Sequence, residues 1–416
     1  MRRLLLGAVS AVALAVATTG CGSGSGSSGS PTEISFWGVD NDTLKAYVTS
    51  YNASHPDAKV NLRLIPFANY DAALNQAFSA KSGPDLVQVN SVTLGTFASK
   101  GFLADITKVT SLDGDLAVSN FYPGFVDQTK WKGTQVALPL DTGSRVLQWN
   151  KKLLAKAGVA PFGETVTWPE MIAAAQKVRA LGSKYQGFCY SAGQNWLALY
   201  EGIGPFVHQA GGEFFDPGLT KSTIDTPAVV KAFDTYKALA ATGDKSNAVS
   251  QTTDDCREKL GAGSVGMVMG GFWNIPSEKE ITGDFELGQS LPMDASVYSS
   301  TGGWTLAVPS YVKSEKYSLL KTFLTDLYKP ANIIKATGLI PATLNGRSAA
   351  TSLKDPKYDI YWKILAEKAS HPITLNPGLS NQATIVMEAL QKVIQGQPTE
   401  QVLAKAQSDL DGTLGG

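Results

Sequence analysis

Alternating strand and helix patterns predict an α/β fold built from mostly parallel sheets flanked by helices. Three observations carry this. From Glu33 onward, short apolar runs bounded by Gly and Pro alternate with apolar stripes at helical spacing. The chain has 416 residues, 43% hydrophobic and 17% charged, enough for two domains with sizeable cores. Its 41 Gly and 20 Pro imply frequent turns rather than long helices.

Each element has a local reason. Ile34 to Trp37 reads as the first strand and stops at Gly38. Asn41 or Asp42 can cap the next helix, where Leu44, Tyr47, Val48 and Tyr51 share one face. His55-Pro56 ends it, because the residue before Pro avoids helical geometry. Val60, Leu62 and Leu64 alternate as a strand, and Tyr70, Leu74, Ala77 and Phe78 form a second helical stripe. Asp85 to Asn90 is the third strand, Gln135 to Leu140 the fourth and Arg145 to Trp149 the fifth. Thr167-Trp168-Pro169-Glu170 opens a helix running to Gly182 with a cap, an early Pro and an early acid. Further helices are expected at Asn195–Ala210, Pro227–Ala241 and Leu319–Leu327, with strands at Ser264–Met269 and Thr305–Val308.

Residues 1–20 stand outside this pattern. Arg2 and Arg3 precede an apolar stretch of 14 residues, Leu4 to Ala17. A membrane span needs about 20. Thr18, Thr19 and Gly20 then lead to Cys21. The segment resembles a bacterial lipoprotein signal peptide with Cys21 lipidated, although Thr18 stands where such signals usually carry Leu. An ordinary secretory signal with an incidental Cys is the alternative. Gly22 to Ser30 is almost pure Gly and Ser, so residues 21–31 read as a lipidated Cys and flexible tether. Cys189 and Cys256 remain, and in an oxidising compartment they form a candidate disulfide or stay as two separate buried thiols.

Composition narrows function. Lys+Arg 36 balances Asp+Glu 36, which argues against a nucleic-acid binder. Three Cys and three His leave little room for a metal cluster, and no cofactor is expected. Gly261 to Gly266 matches G-x-G-x-x-G, but a helix precedes it and a strand follows, the reverse of a dinucleotide site. A glycosidase needs two facing carboxylates. Asp40, Asp42, Asp141 and Glu201 are candidates that sequence does not pair.

Four of the eight Trp sit at strand ends or loop–helix entries beside small polar residues. Trp37 precedes Gly38-Val39-Asp40-Asn41, and Trp196 follows Gly193-Gln194-Asn195. Trp273 lies in a Gly-Gly-Phe-Trp-Asn turn, and Trp304 follows Gly302-Gly303. Ligands of open α/β sheets bind at the carboxyl ends of strands. A sugar ring stacks its C–H face on an indole and offers a hydroxyl rim to Asp, Asn and backbone groups.

The segments ISFWG, SGPDLVQVN, GTQVALPLDT, VTWPEMIAAAQKV, GAGSVGMVMGGFW and TGGWTLAVP follow one another in this order. In that order the chain resembles the extracellular solute-binding lipoproteins of ABC importers, in the sugar-binding group that includes maltose-binding proteins. The resemblance implies a two-lobed periplasmic-binding-protein-like fold with a hinge and central cleft. It places residues 32–140 with 292–342 in one lobe and 141–291 with 343–416 in the other. It brings Trp37, Asp40, Asn41, Asn90, Asp141, Asn195, Trp196, Trp273, Gly302, Gly303 and Trp304 to the cleft as substrate-binding residues. The implied function is binding without catalysis: a monomer, lipid-anchored on the outer face of the cytoplasmic membrane, closes on a sugar or oligosaccharide and delivers it to ABC permease subunits. The same scaffold binding a non-sugar polyol or glycerophosphodiester is the alternative, with Arg145 the nearby cation, and a secreted glycosidase is a further one.

Overall fold

The computed structural model describes residues 32–414, apart from 247–248, 276–279, 298, 351–352, 367–369 and 373–376. The signal-like segment and Cys21 lie outside the described residues. Among the described residues no helix is long and apolar enough to cross a membrane.

Two five-stranded sheets organise the chain. In the first, Glu33–Val39 lies parallel to Lys59–Ile65 on one side and Leu86–Asn90 on the other. Trp304–Ala307 then runs antiparallel to Leu86–Asn90, and Leu138–Pro139 closes the edge. In the second, Val146–Asn150 is antiparallel to both Val265–Gly270 and Leu287–Met293. Gln186–Cys189 and Thr165–Thr167 extend it in parallel. Each sheet is therefore mixed rather than mostly parallel. The antiparallel pairings fall where the chain passes between the sheets: Val146–Asn150 arrives, Leu287–Met293 leaves and Trp304–Ala307 returns. A small sheet of Gly143–Ser144, Ser299–Gly302 and Ser370–Pro372 lies at this crossing.

Local chemistry explains the elements. Asn41 caps the helix Asp42–Ser54 by accepting from the amides of Thr43 and Leu44. The face of Leu44, Tyr47, Val48 and Tyr51 is buried against the first sheet. Thr167 and Glu170 form a reciprocal capping box on the helix Trp168–Ala180. Two expectations fail for physical reasons. The strand expected at Gln135–Leu140 is split at Val136–Ala137 into two short pieces with different partners, Thr134–Gln135 on Lys130–Trp131 and Leu138–Pro139 on Trp304–Ala307. The helix expected at Asn195–Ala210 breaks into Trp196–Ala198, a wide turn at Leu199–Ile203 and Gly204–Gln209. There Pro205 lacks the N–H that would continue the α pattern, and the Gly204 amide reaches back to the Leu199 carbonyl.

One apolar cluster joins Phe36, Leu306 and Phe323 of the first half and runs on through Phe272 to Tyr361. The Tyr361 hydroxyl takes hydrogen bonds from Gln148 and Gln289 of the second sheet. A second cluster gathers Trp149, Trp168, Phe206 and Phe233 with the tail residues Met387, Leu390 and Leu403. Cys189, at the end of its strand, is disulfide-bonded to Cys256 of the helix Thr253–Gly261, with Cα atoms 5.5 Å apart and a sequence separation of 67.

Closing a loop of that length constrains the unfolded chain by about 4 kcal/mol at most. Replacing both cysteines with Ala is expected to lower the urea midpoint by an amount within that ceiling. An unchanged midpoint would show that the bridge adds nothing.

Candidate ligand-binding cleft

A cleft of about 400 Å³ opens between the two sheets, at the carboxyl end of the first. From the first half, the loop after Glu33–Val39 brings Asp40 and Asn41 to it, and the end of Leu86–Asn90 brings Asn90. The crossing strands contribute Asp141, Gly302 and Gly303, with Trp304 at the head of its strand. The second half supplies Trp196 and Trp273.

Nine of the eleven expected residues are thus brought together. Trp37 and Asn195 are not. Trp37 stands two residues short of the strand end, and its ring is taken up by Arg63, 4.5 Å above it, and by Gly83 beside it. Asn195 spends its side chain capping the turn at Trp196, accepting from the Ala198 amide at 2.9 Å. Of the other acids considered, Asp42 stays in the first turn of its helix and Glu201 reaches the cleft.

The floor of the cleft is a buried cation. Arg145 and Glu201 are 6% and 3% exposed. Arg145 Nη2 donates to Glu201 Oε1 at 2.9 Å, and Nη1 donates to the Tyr200 hydroxyl and the Gly143 carbonyl. The guanidinium lies between two rings, 4.0 Å from the centroid of Tyr200 and 4.5 Å from that of Trp273. The wide turn at Leu199–Ile203 is what carries Tyr200 and Glu201 there. Gly143 is equally determined: a Cβ on it would stand 2.0 Å from the Trp273 ring.

Two carboxyls are perturbed, Asp141 on the cleft and Asp71 behind Trp196. Asp141 Oδ1 accepts from the Trp304 amide at 2.9 Å, while Oδ2 is buried without a partner among the described residues. Burial pushes its carboxyl up to about 7 against the opposing effect of that amide. A Cβ on Gly303 would meet the Asp141 carbonyl oxygen at 2.1 Å, so only Gly lets this backbone approach. Asp71 accepts a hydrogen bond from Trp196, and burial pushes its carboxyl up to about 6 despite that bond.

Trp196 also meets Phe67 edge to face at 6.1 Å, and Phe67 meets Trp304 at 6.2 Å. An aromatic row therefore bridges the cleft from the first half to the second. Phe67, Asp71, Tyr200 and Gly143 escaped sequence reasoning, and Arg145 was noticed only as a cation. The visible signal was Pro205 inside an apolar helical run, which marks where a helix must widen. Among the described residues no group of three or more His, Cys, Asp or Glu is placed to hold a metal ion.

The sequence model of the bacterial extracellular solute-binding protein family matches residues 37–333. The sn-glycerol-3-phosphate-binding periplasmic protein UgpB of Salmonella typhimurium is 27% identical over 405 residues, covering 89% of each chain. Its Escherichia coli K12 counterpart is 28% identical over 407 residues, again covering 89% of each. Among solved structures, a solute-binding protein of Thermotoga lettingae bound with alpha-D-tagatose superposes with a TM-score of 0.80 at 24% identity, covering 92% of this chain and 100% of that one. The cyclic alpha-maltosyl-1,6-maltose binding protein of Arthrobacter globiformis gives 0.76 at 20% identity, with 92% and 99% covered. These two likenesses establish the fold.

Removing one partner of a buried ion pair strands the other at a cost of about 3–5 kcal/mol. Arg145→Met is expected to destabilise by that order in urea unfolding, and Arg145→Met with Glu201→Leu to recover most of it. Simple additivity of the two losses would show that the pair is uncoupled. Asp71 and Asp141 hold protons in the folded chain above their unfolded range near 4. Between those values the folded state binds more protons than the unfolded, so stability falls as pH rises. Carboxyls held below the usual range, such as Asp255 with its Thr252 hydrogen bonds, titrate under this window. The urea midpoint is expected to be higher at pH 5 than at pH 8, with a shallower slope in Asp141→Asn. A midpoint rising with pH would contradict the burial of both groups.

Proposed function

The chain belongs to the bacterial extracellular solute-binding protein family, and on that premise we propose that it is the receptor of an ABC importer for a polyhydroxylated solute, a sugar or polyol. The carrying observation is the cleft itself: Trp196 from one half and Trp304 from the other line one space with Asp40, Asn90 and Asp141. Indoles offer flat apolar faces to the C–H side of a sugar, and the carboxylates and amide accept or donate to its hydroxyls. Relatives named or solved with a tagatose and a cyclic maltosyl-maltose support this chemistry.

The mechanism we infer is closure about the crossing strands. The lobe division expected above, 32–140 with 292–342 and 141–291 with 343–416, belongs to this proposal. The two sheets and the tail helices packed with the second cluster support it. Contacts from Phe67 and Asp71 to Trp196 exist only while the halves are together. A ligand touching both halves favours that state because only there does it gain both sets of contacts. The closed receptor then passes its ligand to permease subunits, held at the outer face of the cytoplasmic membrane by a lipid on Cys21. Catalysis has no part in this reading. The name of the UgpB relatives favours a second one, glycerol phosphate or its diesters, for which a cleft cation would be needed.

Calorimetry with mono- and oligosaccharides, alditols and sn-glycerol 3-phosphate separates these. A carbohydrate is expected to bind one to one with a change in Trp fluorescence. Trp196→Ala is expected to weaken it at least tenfold with the fold intact by circular dichroism. Binding of glycerol phosphate alone would favour the second reading, and oligosaccharide cleavage products on chromatography would refute a pure receptor.

A further inference from the structure

The disulfide lies beside the cleft, and on the footing of the receptor reading it has a role there. The helix Thr253–Gly261 lines the cleft through Thr253, Asp254 and Arg257, all at its N-terminal end. Trp196 and Leu197 line the same cleft, and the loop that leads to them starts directly after the strand Gln186–Cys189. Cys189 is the last residue of that strand, and Cys256 closes the first turn of the helix. One covalent bond therefore joins the foot of the Trp196 loop to the cleft end of the helix.

Few other contacts hold that end. The helix buries Cys256, Leu260 and Gly261. The two cysteines, Leu260, Val265 and Val268 form a small cluster with Phe285, apart from the large core of the second half. Leu260 lies in the last turn, where the chain already returns into the strand Val265–Gly270. Near the first turn the remaining ties are polar. Gln251 Nε2 donates to the Tyr190 carbonyl at 2.6 Å, and Arg257 Nη2 stands 3.0 Å from Glu280 Oε1. The side chains of that ion pair are 22% and 25% exposed, and pairs open to water contribute about 1 kcal/mol or less. A segment with few buried apolar contacts opens locally at low cost.

We propose that the Cys189–Cys256 bond is a positioning element of the binding site: it clamps the Thr253–Arg257 end of the helix to the strand end from which the Trp196 loop departs. Its loss lets this wall of the cleft open locally and weakens ligand binding while both sheets stay folded. The buried sulfurs act through Thr253, Asp254 and Arg257 rather than on the ligand. A ligand that meets a wall already in place does not have to order it, and so binds more tightly. This role is separate from the constraint on the unfolded chain, which bears on the whole fold alike.

Hydrogen exchange read by mass spectrometry, on the oxidised protein and on Cys189→Ala with Cys256→Ala, tests the clamp without any ligand. Amides of Thr253–Gly261 are expected to quicken roughly tenfold more than those of the core helix Trp168–Ala180. Equal quickening in both would mean that the bridge acts only through the unfolded chain, and overturns the proposal. Calorimetry with D-tagatose, maltose, sorbitol and sn-glycerol 3-phosphate follows on both proteins, at a temperature where circular dichroism shows both folded. A probe that binds the oxidised protein is expected to bind the variant about tenfold more weakly. Unchanged affinity overturns the positioning role. If none of these solutes binds the oxidised protein, the receptor reading fails for them and the exchange comparison alone decides the clamp. Cys189→Val with Cys256→Ala, which refills part of the lost volume, replaces the double alanine if that variant does not fold.

Discussion

The arrangement around Arg145 is the constraint on which the cleft depends. A guanidinium inside a protein needs counter-charge, hydrogen bonds and covered faces at once. Here Glu201, the Tyr200 hydroxyl, the Gly143 carbonyl and two aromatic rings meet most of those needs, and Nε alone has no partner among the described residues. The residues come from three separate stretches: the crossing strand at 143–145, the wide turn at 199–203 and the Phe272–Asn274 turn. One buried charge thereby ties the crossing to the second half and orients the Trp273 indole. Gly143 is Gly because that indole occupies the volume of a side chain.

Above this floor the cleft is polar and apolar by halves. Phe67, at 43% exposure an unusually open aromatic, makes sense as the middle of the row from Trp304 to Trp196. The Asp71–Trp196 hydrogen bond adds a polar contact to the same bridge. The second cluster holds its half by itself, whereas the first runs across the crossing through Phe272 to Tyr361 and joins the two halves.

Much of this was legible beforehand. The apolar faces of the early helices, the Asn41 cap and the Thr167–Glu170 box are local, so periodicity and capping rules reach them. The gathering of Asp40, Asn90, Asp141 and Trp304 followed from strand ends and from family likeness. Trp37 was misplaced because a strand end cannot be located to within two residues from pattern alone, and two residues decide whether a ring meets the cleft or the Arg63 guanidinium. Asn195 was misplaced because its cap role competes for the same side chain.

What the chain determined by itself is therefore what depends on neighbours in sequence: element type, caps and the α/β class. Tertiary structure alone decided the antiparallel insertions, the Cys189–Cys256 bond, the pairing of Arg145 with Glu201 and the stranding of Asp141 Oδ2. Each depends on groups tens to hundreds of residues apart, and charge and burial act through space, where spacing along the chain carries no information about distance.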